Sequence, residues 1–218
     1  MKVGVLDYGV GNLGSVLRAL DELRASPLLL QRAGDLHLAD CLVLPGVGSF
    51  TECKKRLDDG GWTAALTDAV LCQHKPLLGI CLGMQLLADR GLEGAGADEA
   101  TPGLGFIPGQ VHSLASLGCT GRLPHMGWNA VTATPSAASP ATPTGLLQHI
   151  PDGTDFYFVH SYALVPRHAS DLLATCDYGG PVAAVVGRGR VFGTQFHPEK
   201  SGRAGFRLLR NFLDGAAC

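Results

Sequence analysis

The stretch Leu77-Leu78-Gly79-Ile80-Cys81-Leu82-Gly83-Met84-Gln85-Leu86-Leu87 constrains the fold more than any other. An apolar run breaks at Gly-x-Cys-x-Gly and resumes with helical spacing at Met84, Leu86 and Leu87. The pattern predicts a strand, a sharp turn and a helix, with one reactive atom at the corner. Glycines on both sides of Cys81 let strand and helix approach closely around a strained residue, as in a nucleophile elbow. The following helix N-terminus would favour a thiolate, and free N–H groups of the turn would point toward a developing oxyanion. A cysteine in an apolar run can equally be a small core residue, but a simple buried strand has no use for the flanking glycines.

A nucleophile needs a base. Near the other end of the chain stands Gln195-Phe196-His197-Pro198-Glu199. Pro198 biases His197 toward an extended backbone. Residues two apart in an extended chain share a face at roughly 6.5–7 Å, so Glu199 can bond one ring nitrogen of His197 and leave the other facing outward. Cys81, His197 and Glu199 thus supply nucleophile, base and orienting group for thiol catalysis.

Between these motifs, strands and helices alternate through the first half. Residues 2–6 read as a strand, 16–23 as a helix, 41–44 as a strand closed by Pro45-Gly46-Val47-Gly48, and 49–57 and 62–71 as helices. Such alternation predicts a parallel sheet with helices on both faces. After Arg90 the texture changes: residues 91–105 read as a Gly/Ala-rich loop, and 106–114, 124–131 and 154–164 as strands of an antiparallel extension. A hairpin is expected from 182–186 and 191–196 over Gly187-Arg188-Gly189, and a last helix over 202–213 with Phe206, Leu209 and Phe212 as its stripe. The fold class is therefore α/β: a mixed, mostly parallel, flavodoxin-like central sheet plus a smaller antiparallel sheet, in one domain over residues 1–218. Residues 132–145 form a Pro/Ala/Ser/Thr insertion rather than a domain linker.

Composition excludes several classes. With 46% hydrophobic and 17% charged residues the chain is globular, and a net charge of -2 leaves no electrostatic footprint for nucleic acid. No apolar run spans a membrane, and Asp7 comes too early for a signal peptide, so a cytoplasmic location is expected. The seven cysteines (41, 53, 72, 81, 119, 176 and 218) include no Cys-x-x-Cys pair, which argues against a disulfide framework or zinc ribbon. Gly9-Val10-Gly11-Asn12-Leu13-Gly14 sits after a strand and before a helix, as in a dinucleotide fingerprint. However, the acid expected at the end of the second strand is not clearly there, and Asp7 and Tyr8 stand where that fingerprint prefers small or apolar residues. A tight loop at the sheet edge is the other reading.

Gly79-Ile80-Cys81-Leu82-Gly83-Met84-Gln85 together with Phe196-His197-Pro198-Glu199 resembles the class I, or triad, glutamine amidotransferases over nearly the whole chain. Within that class, five stretches look like the glutaminase subunits of imidazole glycerol phosphate synthases. They are Asp7-Tyr8-Gly9-Val10-Gly11-Asn12-Leu13, Pro45-Gly46-Val47-Gly48, Pro124-His125-Met126-Gly127-Trp128-Asn129, Phe158-Val159-His160-Ser161-Tyr162 and Pro198-Glu199-Lys200-Ser201-Gly202. The resemblance implies attack of Cys81 on the glutamine side-chain amide, with His197, oriented by Glu199, protonating the ammonia. It implies an oxyanion hole from the backbone N–H groups of Leu82 and Val47, the latter after a peptide flip that Gly46 and Gly48 permit. Gly48, Gln85, His160, Ser161 and Tyr162 become candidates for binding glutamine.

The implied partner is a (βα)8-barrel cyclase that takes the ammonia to make imidazole glycerol phosphate and AICAR in histidine biosynthesis. Asn12, Trp128, Asn129, Tyr157 and Lys200 are the candidate contacts, and no metal or organic cofactor is called for. The chain departs from the family in the 132–145 insertion and the 95–101 loop. Rival readings are the glutaminase of another synthase, a nucleotide-binding protein built on residues 9–14, and a silent binding module with a relict triad.

Overall fold

The apolar runs at residues 41–46 and 77–81 become strands that are buried on both faces. The computed structural model describes residues 1–94, 100–135 and 145–217. Lys2–Leu6 (β1), Ser26–Leu30 (β2), Cys41–Gly46 (β3) and Leu77–Cys81 (β4) lie parallel in the order β2-β1-β3-β4. Alternate residues feed two separate cores, as a pleated strand requires. Cys41, Val43, Leu78 and Ile80 face one core, and Leu42, Leu44 and Leu77 face the other.

Five α-helices cover these faces: Leu13–Glu22 (α1), Phe50–Asp59 (α2), Trp62–Thr67 (α3, running into a π-helical turn at Asp68–Cys72), Leu82–Leu86 (α4) and Gly202–Ala216 (α5). Helix α1 buries Val16, Ala19 and Leu20, the apolar side of a 3.6-residue repeat. Helix α5 is three residues longer than expected and buries Leu208, Leu209, Phe212 and Leu213, while Phe206 is only partly covered.

The remaining strands are Arg90–Gly91 (β5), Thr101–Pro102 (β6), Gly109–Ser113 (β7), His125–Ala133 (β8), Thr154–His160 (β9), Tyr162–Pro166 (β10), Leu172–Asp177 (β11), Pro181–Arg188 (β12) and Val191–Thr194 (β13). Strand β13 lies parallel to β4, and β12, β11, β8 and β9 continue the same sheet antiparallel, in the order β4-β13-β12-β11-β8-β9. The main sheet thus has four parallel and four antiparallel pairings. The smaller sheet, β10-β7-β5-β6, is antiparallel except where β5 runs parallel to β7.

Three expectations are corrected. The hairpin turns at Gly189-Arg190 rather than over 187–189: Gly187 stays in β12, where the side chains of Leu173 and Phe192 leave no room for a Cβ, and Gly189 takes the positive φ of 57°. The single strand read over 154–164 is two strands, divided at Ser161, where the chain leaves the main sheet for the small one. Strand β8 extends through Ala133, so the insertion begins later than residue 132. Residues 136–144 of it, and 95–99 of the other departing loop, lie outside the described residues.

The topology decides where chemistry can occur. Strands β1, β3, β4 and β13 are neighbours and parallel, so the segments that follow them all emerge at one edge. Open α/β sheets place ligands at that carboxyl edge. The 9–14 loop packs there against the β3 loop: a Cβ on Gly11 would lie 3.4 Å from the Pro45 side chain.

Candidate active site

Cys81 closes β4 and caps α4 with φ 56° and ψ -111°, a conformation strained for any residue with a Cβ. Such strain costs on the order of 1–3 kcal/mol and persists only where the surroundings enforce it. The enforcement is visible in the glycines. A Cβ on Gly83 would sit 1.8 Å from the Leu44 carbonyl oxygen, and one on Gly79 would sit 2.6 Å from the Gly83 carbonyl. Strand β3, strand β4 and helix α4 are therefore in backbone contact, and the elbow has no room to relax. Helix α4, which begins at Leu82, is five residues long.

The opposing group comes from the neighbouring strand. His197 lies just beyond β13, with an extended backbone (φ -97°, ψ 97°), as a residue before proline should have. Glu199, however, is not part of an extended run. Pro198–Lys200 is a 3-10 turn, and it folds the carboxylate back so that Oε1 lies 2.8 Å from His197 Nδ1. Proline favours the first position of such a turn because its φ is already set. The backbone holds the pair rigidly: the His197 N–H donates to Tyr157 O at 2.9 Å, and Ser201 Oγ donates to His197 O at 2.6 Å. Both side chains are buried, and Nε2 is left without a hydrogen-bond partner among the described residues.

Burial alone would lower the His197 pKa, but the Cys81 sulfur and the Glu199 carboxylate more than offset it and raise it to about 9. The imidazolium therefore prevails at neutral pH. Since the folded value exceeds the ordinary 6.5, this group stabilises the folded chain fully below pH 6.5, and the stabilisation is lost as pH rises through about 9. Observed by NMR, the His197 ring should titrate near pH 9 in the native chain and at a clearly lower pH in Cys81→Ala. Identical midpoints in the two proteins would dissociate the thiol from the imidazole.

Cys81 and His197 line a cavity of about 180 Å³ together with Val47, Gly48, Leu82 and Gln85. His160, Ser161 and Tyr162 close it where β9 passes into β10. Every residue expected to form the triad's pocket, the oxyanion hole and the glutamine site thus borders one cavity, except Glu199, which stands behind His197. Val47 is 40% exposed, on a loop whose next residue, Gly48, needs its positive φ of 95°. A larger, shallower groove of about 560 Å³ lies between the end of α1 and α5, lined by Arg203, Arg207 and Arg210, but no nucleophile faces it.

Three residues at the site escaped the sequence reading. Gln195 is buried, and its Nε2 points at Cys81 Sγ at 3.8 Å, while its Oε1 accepts from Gln85 Nε2 at 3.0 Å. Glu93 lines the cavity and accepts the Phe50 N–H at 3.0 Å, and burial raises its pKa. His125 lies 2.9 Å from His160 through Nδ1 and Nε2, and His160 Nδ1 donates to Tyr162 O at 2.8 Å. Burial lowers the pKa of both histidines to about 4, so the pair is neutral. Neutrality fixes the tautomers: His125 Nδ1 donates to His160 Nε2. Gln195 stands directly before the Phe-His-Pro-Glu run, and that adjacency was the available signal.

The candidate contact residues divide. Trp128 and Tyr157 are paired across β8 and β9 with ring centroids 6.1 Å apart, and Lys200 Nζ lies 5.9 Å from the Tyr157 ring. Trp128 is 57% exposed, and Met126, two residues earlier on the same face, is 62% exposed. Asn129 does not join them. Strand alternation turns it to the other face, where its Nδ2 donates to Asp177 O at 2.8 Å and to His125 Nε2 at 3.3 Å. Asn12 is half-buried at the N-cap of α1. Among the described residues no group of three or more His, Cys, Asp or Glu side chains could hold a metal ion.

A strained thiol facing an imidazole–carboxylate pair at the edge of an α/β sheet defines a class. The chain belongs to the class-I glutamine amidotransferase family, which matches residues 4–216. Among relatives, it is 44% identical to the imidazole glycerol phosphate synthase subunit HisH of Rhodopseudomonas palustris, over 98% of each chain. The subunit of the same name from Brucella abortus is 43% identical, again over 98% of each chain. HisH of Halalkalibacterium halodurans is 45% identical over 96% of this chain and 94% of its own. The fold is shared with a solved glutamine amidotransferase (TM-score 0.73, 24% identity, 99% of each chain). It is also shared with PurLQS from Thermotoga maritima (TM-score 0.74, 19% identity, 98% of this chain and 97% of that one).

Proposed function

We infer that this chain is the glutaminase subunit of an imidazole glycerol phosphate synthase, acting as one unit over residues 1–218. The observation that carries the chemistry is the strained Cys81 and His197 on one cavity, with Glu199 bonded behind the imidazole. Cys81, its proton having passed to His197, attacks the side-chain carbonyl carbon of glutamine as the thiolate. The tetrahedral oxyanion rests on the Leu82 N–H, fixed as the first residue of α4, and on the Val47 N–H once its peptide has turned. The C–N bond then breaks, and His197, already an imidazolium, gives its proton to the departing ammonia. This leaves a glutamyl thioester. Water, losing a proton to the now neutral His197, hydrolyses it to glutamate and free thiol. Glu199 holds the ring by Nδ1 throughout, so that Nε2 faces the reacting atoms.

Substrate recognition follows from charge. Glutamine brings an ammonium and a carboxylate, and Glu93, which lines the cavity and holds the Phe50 N–H through one oxygen, is suited to the ammonium. Gly48 and the His160-Ser161-Tyr162 turn supply polar backbone and side-chain groups for the carboxylate. Gln85 is already engaged through Nε2 with Tyr162 O (2.8 Å) and Gln195, and so serves to shape the wall as well as to touch substrate. No cofactor enters any step.

The ammonia goes to a (βα)8-barrel cyclase subunit. The relatives' names support a partner, since each is a subunit of a synthase. On this chain the surface for it is the exposed Met126, Trp128 and Lys200 around the half-buried Tyr157, with Asn12 at the start of the neighbouring α1. Trp and Tyr side chains are enriched among the residues that dominate interface energetics. No helix among the described residues is long and apolar enough to cross a membrane, and a cytoplasmic location fits a biosynthetic role.

Glutamate release should be slow for the chain alone and at least about tenfold faster with the cyclase and its phosphoribulosyl ligand, if partner binding turns the Val47 peptide. Full activity without the partner would overturn the gating. Absence of acceleration by that cyclase would keep the glutaminase and move the chain to another synthase.

A further inference from the structure

Two buried side chains that the mechanism does not use both reach the loop Pro45-Gly46-Val47-Gly48. Tyr8 Oη donates to Pro45 O at 2.8 Å, and Cys53 Sγ donates to Val47 O at 3.3 Å. The two carbonyls belong to the peptides on either side of the Gly46–Val47 peptide. Cys53 is in the first turn of α2, and its own N–H is bonded to Ser49 O. A helical thiol can bond back to the carbonyl four residues earlier. This one leaves its helix and reaches the loop instead.

We propose that Tyr8 and Cys53 are positioning residues that pin the flanking peptides, so that Gly46–Val47 alone turns, as a crankshaft, to bring the Val47 N–H into the oxyanion hole. The proposal rests on the assignment of Val47 to that hole. Rotation of one planar peptide about the two bonds beside it leaves the outer atoms nearly in place, provided those atoms are held. Gly46 makes the pivot possible and also marks how closely it is held: a Cβ there would lie 2.9 Å from Tyr8 Oη and 2.8 Å from the Gly83 nitrogen. Both donors keep their protons at neutral pH. Burial raises the Cys53 pKa to about 11, and burial together with Cys53 raises that of Tyr8 well above its ordinary value.

The thiol bond is weak, so its removal should cost little stability and mainly displace the Val47 N–H. The test is steady-state glutamine hydrolysis by the complex with the cyclase and its phosphoribulosyl ligand, for Cys53→Ala, Cys53→Ser and Tyr8→Phe. Cys53→Ala should lose about tenfold in kcat with KM unchanged, the signature of a contact made only in the transition state. Cys53→Ser, which keeps a donor, should recover most of that loss, and Tyr8→Phe should show the same kcat-only signature as Cys53→Ala. An undiminished kcat in Cys53→Ala, an equal loss in Cys53→Ser, or a loss that tracks a lowered Tm would each overturn the proposal. Failure of the glutaminase reading looks different: the unmodified complex would then turn over glutamine without needing Cys81, or not at all.

Discussion

Replacing Cys81 by alanine should lower glutamine hydrolysis by a factor on the order of 10⁶, the loss seen when the nucleophile is deleted from a catalytic triad. Cys53 reaches the Val47 loop, but its sulfur is committed to Val47 O with its pKa raised to about 11. The substitution should otherwise be mild, because alanine keeps the Cβ that the elbow already accommodates at φ 56°. Binding to the cyclase and synthesis from externally supplied ammonia should therefore persist, since the surface of Trp128, Tyr157 and Lys200 is untouched. The measurement is paired: glutamate release and ammonia-dependent product formation on one preparation. Loss of both reactions would contradict a division of labour in which this chain supplies nitrogen only.

The second large effect is on folding. Gly83→Ala introduces a Cβ 1.8 Å from the Leu44 carbonyl oxygen, and that oxygen is backbone of a strand held on both sides by its neighbours. Neither partner can yield as a flexible side chain would. A loss of about 3–5 kcal/mol is expected, or failure to accumulate folded protein, from overpacking at a site that cannot expand. Gly34→Ala is the control: nothing lies within 4 Å of its Cβ position. Its effect should stay within about 0.5 kcal/mol, as for surface changes that touch no special feature. Thermal or denaturant unfolding of the two variants side by side decides the matter, and a Gly83→Ala protein as stable as Gly34→Ala would mean that the elbow is looser than the contacts imply.

These two residues also show what was legible early. The elbow could be read because its requirements are local: small residues at fixed offsets from the thiol, an apolar run before it, helical spacing after it. The same holds for His197, whose extended backbone follows from the proline beside it. The spacing of Glu199 from His197 suggests an extended run, but a 3-10 turn brings the carboxylate back to the ring. For the candidate contacts Trp128 and Asn129, the alternation of a strand reveals that they lie on opposite faces, but not which face meets solvent. In β8, Trp128 is the outward residue, and Asn129 turns toward His125.

What the amino-acid order determined by itself was the chemistry at each end of the chain, because turn geometry, pre-proline bias and helix periodicity act within a few residues. What only the tertiary structure decided was that these ends meet. Cys81 and His197 are brought together because β13 enters the sheet beside β4, with Thr194 opposite Ile80, across more than a hundred intervening residues. The switch of sheets at Ser161, the approach of Gln195 to the thiol and the reach of Cys53 to Val47 depend likewise on non-local pairing. Runs buried on both faces, such as β3 and β4, carry no alternation that names a neighbour, so their order is settled only when the two cores close on either side.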